Sequence, residues 1–253
     1  MWKTSLIAAA FALMAATAQA ADMTFLIGGA MSEPFKVVGA DFAKKTGDKI
    51  DYTFDTTGAL QMKLRGGEKA DIVLLSAAGL DAMEKEHLVQ PGTRVDLARA
   101  LIGVSVKRGA KAPDLSTPDA FKAALVNARS VAYVDPAAGG TSGIYLSGLL
   151  KRMGIADAVS KKTVFGKQGS EVAEAVASGK AEIGITFISE MLPNKGVAIA
   201  SPLPDPIQSP TVYSAAIAAM SPNPVQARAF LAAMTSAEGA SAIKNAGLEP
   251  IKR

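Results

Sequence analysis

The stretch "DPAAGGTSGIY", Asp135 to Tyr145, decides how the rest of the chain is read. It follows "SVAYV", an apolar run of strand length, and leads into "IYLSGLLKRMG", whose apolar residues recur at helical spacing. Every position from Ala137 to Ser142 is Ala, Gly, Ser or Thr. Such a turn offers amides and hydroxyls and keeps bulky groups away from them. The first N–H groups of a helix have no acceptor inside the helix, and the helix dipole adds partial positive charge there. The turn is therefore read as a place where an anion meets peptide nitrogen without help from lysine or arginine.

Three further turns share this chemistry: "GGAMSE" before the first helix, "DTTGAL" before the second, and "KQGSEV" after "KTVF". Ser and Thr cap helices widely, so a single turn of this kind reads as capping alone. Four of them, two in each half of the chain, read together as an anion cleft. Around them strand and helix patterns alternate. "MTFLIGG", "KIDYTF", "ADIVLLS", "SVAYV" and "AEIGITFI" read as strands, and "SEPFKVVGADFAKKTG", "STPDAFKAALVNA" and "SEVAEAVASGK" as helices, with Ser32 as the expected N-cap of the first. That alternation predicts an α/β fold with mixed, largely parallel sheets flanked by helices. In open sheets of this class, ligands sit outside the carboxyl ends of the strands.

Composition removes several functions. With no cysteine there is no disulfide and no thiolate metal site. The one histidine, His87, lies in "DAMEKEHLVQ", a charged pattern read as a surface helix, so no Ser-His-Asp arrangement is expected. The nucleophile-elbow, zinc-protease, phosphate-loop and EF-hand patterns are not found in the sequence. Basic and acidic residues, 27 against 23, are interspersed and only 6% of residues are aromatic, which argues against nucleic-acid binding. The chain reads as a binding protein rather than an enzyme, without metal or cofactor.

Met1 to Ala20 has Lys3, an apolar run from Leu6 to Ala16 and Ala18-Gln19-Ala20 as a cleavage site, the pattern of a signal peptide. Export to the periplasm is expected. The chain changes character at "RALIGVSVKRGA" and at the proline-rich "SPLPDPIQSP", which predicts two lobes. Residues 21–100 with 218–253 are assigned to lobe 1 and residues 101–217 to lobe 2.

In order along the chain, "GGAMSEPFKVVGADFAKKTG", "FDTTGALQMKLRGGEKADIVLLSAAG", "VDPAAGGTSGIYLSGLLKRMGI" and "GSEVAEAVASGKAEIGITFISE" resemble the periplasmic molybdate-binding proteins of ABC importers. The resemblance implies a two-lobed type II periplasmic binding fold that closes on its ligand about a hinge. It also implies a monomer that delivers to a membrane permease and its ATPase. In that family hydroxyls, amides and one tyrosine hold an oxyanion. Carried over, those positions fall on Ala30, Thr57, Ser142, Val172 and Phe187, with Met31, Thr56, Gly140, Thr141 and Ser170 beside them in the same turns. Ala30 and Phe187 lack the expected hydroxyls. Lys63, Arg65 and Lys167 are the cations a larger organic acid would recruit. The expected function is capture of a small anion of molybdate or tungstate type by lobe closure. A di- or tricarboxylate ligand, or a sensing role beside a membrane receptor, are the alternatives.

Overall fold

A computed structural model describes residues 20–251, so the expected leader lies outside it apart from Ala20. Strand β1 (Asp22–Gly28) passes through one tight turn into helix α1 (Ser32–Thr46), followed by β2 (Lys49–Asp55), α2 (Thr57–Arg65), β3 (Ile72–Ser76), α3 (Ala77–Lys85) and β4 (Val95–Ala100). After Leu101 the chain enters a second sheet with β5 (Ile102–Lys107). There it builds α4 (Pro118–Asn127), β6 (Val131–Val134), α5 (Thr141–Arg152), α6 (Ala156–Ser160), β7 (Thr163–Gly166), α7 (Gly169–Ala177), β8 (Ile183–Phe187), α8 (Ile188–Met191) and β9 (Val197–Pro202). It returns through β10 (Thr211–Ile217), α9 (Pro224–Met234), α10 (Ala237–Asn245) and β11 (Glu249–Pro250).

Two sheets result, ordered β11-β4-β10-β3-β1-β2 and β7-β6-β8-β5-β9. The first crossing falls at Leu101. The second differs from the expectation, because β10 pairs antiparallel with β3 and β4 in the first sheet. Residues 211–217 therefore belong with lobe 1, and the chain re-enters that lobe across the proline-rich segment rather than after Ile217. Parallel pairing is confined to β1 with β2 and β3, and to β6 with β7 and β8. Strands β5 and β10 carry the chain between lobes and run against their neighbours, so the sheets are mixed rather than largely parallel.

Local sequence explains the elements that bear on the cleft. "IVLLS" in β3 is buried at every position, as a central strand covered on both faces requires. Phe25 of β1 is the hub of lobe 1, edge-on to Phe35, Tyr52 and Phe230. Such pairs contribute roughly 0.5–1.5 kcal/mol each beyond area burial. Asp71, the last residue of the "GALQMKLRGGEKAD" stretch, is a structural anchor. Its carboxylate accepts from the Thr24 and Asn223 amides at 3.0 Å and from the Ser221 hydroxyl at 2.6 Å, fixing the start of α9 against β1. Thr56 caps α2 by accepting from the Ala59 amide at 3.2 Å. Ser32 is the first residue of α1 rather than its cap, since the preceding turn carries the chain one residue further before the helix begins.

The lobes meet along a backbone seam. The Gly58 amide donates to the Gly139 carbonyl at 3.1 Å, and the Thr56 hydroxyl donates to the Ala138 carbonyl. A Cβ on Gly58 would lie 2.9 Å from the Gly139 Cα, too close for backbone that cannot swing aside. We expect Gly58→Val to hold the lobes apart while leaving each folded. Small-angle scattering should give a larger radius of gyration than the parent at nearly the same melting temperature. Superimposable scattering curves would contradict the seam.

Candidate functional site

Four helix starts do approach one another at the seam. Between them lies a small cavity of about 20 Å³, room for about one water molecule. Of the expected ligand residues, Thr56, Thr57, Gly140, Thr141, Ser142 and Phe187 line it. An outer cleft of about 430 Å³ adjoins it, and Gly29, Gln168 and Glu190 line both spaces. A larger hollow of about 1060 Å³ lies between α4 and the loop after β5. It is walled largely by alanines with Lys107, Lys111 and Arg129, and none of the helix starts points there, so the smaller seam cavity is the better candidate.

Several expected residues lie elsewhere. Ala30 and Met31 are packed in the core, and Gly29 reaches the cavity in their place. The reason is the tight turn after β1, which rolls both side chains inward under α1. Val172 is buried among Ala132, Val134 and Val176, because its position on α7 faces the sheet. Ser170 is exposed and lines only the outer cleft. Lys63 and Arg65 are held in surface ion pairs with Glu68 and Glu86, and Lys167 is exposed away from both spaces. His87 is exposed just past the end of α3, in left-handed backbone with φ 56°, rather than within a helix.

The hydroxyls form a closed set. The Thr57 hydroxyl oxygen accepts from the Ser76 amide at 3.2 Å. The Ser142 hydroxyl is 3.1 Å from that of Thr186, and Thr186 donates to Glu190 Oε2 at 2.6 Å. The amides of Phe187 and Gly169 lie close enough to Glu190 to favour its charged form. Gly169 opens α7, so the fourth helix start is occupied by a side-chain carboxyl of the protein itself, where an external anion had been expected. A Cβ at Gly169 would lie 1.9 Å from Oε2 and one at Gly29 would lie 2.8 Å from Oε1. These two glycines make room for the carboxyl.

Glu190 is enclosed by both lobes yet keeps a little accessible surface where it borders the cleft. Burial pushes its pKa up to about 7, only partly offset by the three donors. Near neutral pH it is thus divided between acid and base forms. Tyr213 of β10 stands nearby, 4% exposed, with its ring 5.8 Å from that of Phe187 at 80°. It lines the same cavity as Thr141. Burial first, and then the charge of Glu190, raise its pKa well above the ordinary phenol value, so it stays protonated. The hydroxyl missing at Phe187 is therefore supplied at the same cavity by a tyrosine from the other lobe.

Sequence reasoning missed Glu190 and Tyr213. In "FISEM" the glutamate stands three residues after the helix cap, where an acid reads as ordinary capping. Only the tertiary fold shows that it closes a second helix start as well. The folded pKa of Glu190 lies above its unfolded value of 4.5, so ionising it opposes folding. Stability from this group is intact below about 4.5 and is lost as pH rises through about 7, by roughly 3 kcal/mol in total. Glu190→Gln should remove that decline, measured as the denaturant midpoint against pH. Parallel curves for parent and variant would count against the assignment.

Comparison with known proteins places this geometry. A family model described as bacterial extracellular solute-binding protein matches residues 23–249. An aconitate isomerase from a Pseudomonas species is 35% identical over 235 residues, covering 90% of this chain and 88% of that one. A molybdate-binding protein from Azotobacter vinelandii is 26% identical over 181 residues, covering 71% of this chain and 69% of its own. Among solved structures, a periplasmic molybdate-binding protein of Azotobacter vinelandii superimposes with a TM-score of 0.76 at 18% identity, covering 89% of this chain and 98% of that one. The sulfate-binding protein of Mycobacterium tuberculosis gives 0.71 at 15% identity, covering 91% and 87%. These structural likenesses carry the two-lobed type II fold. The chain belongs to the family of bacterial extracellular solute-binding proteins.

Proposed function

We propose that this protein closes on a small unsaturated polycarboxylate of the aconitate type and interconverts its isomers by moving one proton. The observation that carries this reading is Glu190, a carboxyl poised near neutrality at the junction of the anion cavity and the outer cleft. A site that only held an oxyanion would gain nothing from an acid of its own at a helix start. The helix starts of α2 and α5 offer amides to one substrate carboxylate. An ionised Glu190 then has the position and basicity to take a proton from an allylic carbon and return it at the other end of the double bond. The similarity to an aconitate isomerase over most of the chain supports the same chemistry. The inner cavity is small with the lobes shut, so the ligand is admitted by parting them, and the outer cleft is its path.

A second reading keeps the binding role alone: capture of an oxyanion for an ABC importer. It is favoured by a cavity lined with amides and hydroxyls and by no lysine or arginine, together with the molybdate-binding relatives.

Both readings meet one experiment. The protein is incubated separately with cis- and trans-aconitate, and proton NMR follows their interconversion. Melting is recorded with each acid and with molybdate, since specific binding raises the melting temperature. The isomerase reading predicts turnover, loss of about a thousandfold in Glu190→Gln, and kcat/KM that climbs with pH and levels off above about 7 as Glu190 ionises. A melting shift with molybdate alone and no turnover would establish the oxyanion reading instead.

A further inference from the structure

We infer that Tyr213 is the catalytic partner of Glu190: its phenol donates the hydrogen bond that holds negative charge on the substrate carboxylate while the proton is in transit. This rests on the isomerase reading above. Tyr213 comes from the lobe 1 sheet and Glu190 from α8 of lobe 2, so the reacting pair is complete only when the lobes close.

Three features of the backbone and packing aim this side chain. The register of β10 against β4 shifts between Tyr213 and Ser214. Irregularities of this kind turn a side chain away from the direction an unbroken strand would give it. Gly28, at the end of β1, leaves the ring its space, since a Cβ there would lie 2.9 Å from the Tyr213 Cε1. Phe187, at the end of β8, meets the ring edge-on from the opposite lobe. The ring is thus held between two lobes, where Tyr213, Thr141 at the start of α5 and Glu190 line one cavity. In a chain built only to pack β10 against β3, an apolar residue would serve at this buried position.

The chemistry gives the phenol a task that the carboxyl cannot perform. In the first half of the reaction the allylic C–H bond breaks and the proton passes to Glu190. The freed electron pair forms the new double bond, and the pair of the old one moves through the conjugated system onto a carboxylate oxygen. That oxygen carries the added charge. A phenol that stays neutral is a donor there and keeps its own proton throughout. In the second half the charge returns to carbon, which takes the proton back from Glu190. One C–H bond is broken and one formed, with no oxidant or second reactant.

The test is Tyr213→Phe, which removes the oxygen and keeps the ring. Loss of one such donor lowers kcat by about a hundredfold, and we expect KM for cis-aconitate to change by less than about threefold, since the donor acts mainly on the developing charge. Thr141→Val, which leaves the phenol but removes its hydroxyl neighbour, should fall between the two. A fall in kcat with KM little changed supports the role. A rise in KM with kcat intact would assign Tyr213 to ground-state binding and overturn it, as would a variant as fast as the parent. Should the parent itself interconvert nothing while aconitate still raises its melting temperature, the isomerase reading falls and this role falls with it.

Discussion

A single carboxyl group, seated where the start of α7 meets the lobe seam, governs the character of the cleft. In the related geometry expected from the sequence, four helix starts all faced outward to an anion. Here Glu190 lies against Gly169 at the start of α7 and accepts from the Thr186 hydroxyl. Two glycines, Gly29 and Gly169, exist at positions where any side chain would displace it. The chain therefore places an acid group of its own, beside Asp55 of β2, in a cavity whose donors are neutral. Enclosure raises that group's pKa toward neutrality. The free energy that would have gone into holding it ionised is given up, and a group able to exchange a proton near pH 7 is the result.

The two lobes contribute unlike parts. Lobe 2 supplies the helix start of α5, the hydroxyls of Ser142 and Thr186, and Glu190 itself. Lobe 1 supplies the start of α2 and the phenol of Tyr213. The seam brings Gly58 and Gly139 to contact distance through backbone and is joined by the Thr56 hydroxyl on the Ala138 carbonyl, which permits a close approach. Binding folds of this kind already move between open and closed forms. Under the isomerase reading, dividing Glu190 and Tyr213 between lobes makes closure a condition for chemistry as well as for capture.

Much of this was legible in the sequence. Small residues from Ala137 to Ser142 do form the turn before α5, and the continuous apolar run in β3 does mark a central strand. Thr56, Thr57, Thr141, Ser142 and Phe187 line one cavity. What failed depended on contacts distant in sequence. The Ala30 side chain is turned into the core by the roll of a tight turn. Tyr213 could not be placed at the cavity while residues 211–217 were assigned to lobe 2. Glu190 carries no local mark of its role, because a glutamate after a helix cap is common and its second partner, Gly169, is distant along the chain.

The central claim is that Glu190 exchanges a proton near neutral pH inside the cleft. Carbon-13 NMR of the protein labelled at glutamate side-chain carboxyls reads this directly, with the resonance identified by its loss in Glu190→Gln. The account predicts one carboxyl titrating with a midpoint at about 7, well apart from the other glutamates. A Glu190 resonance that titrates near its ordinary value of 4.5 would contradict it.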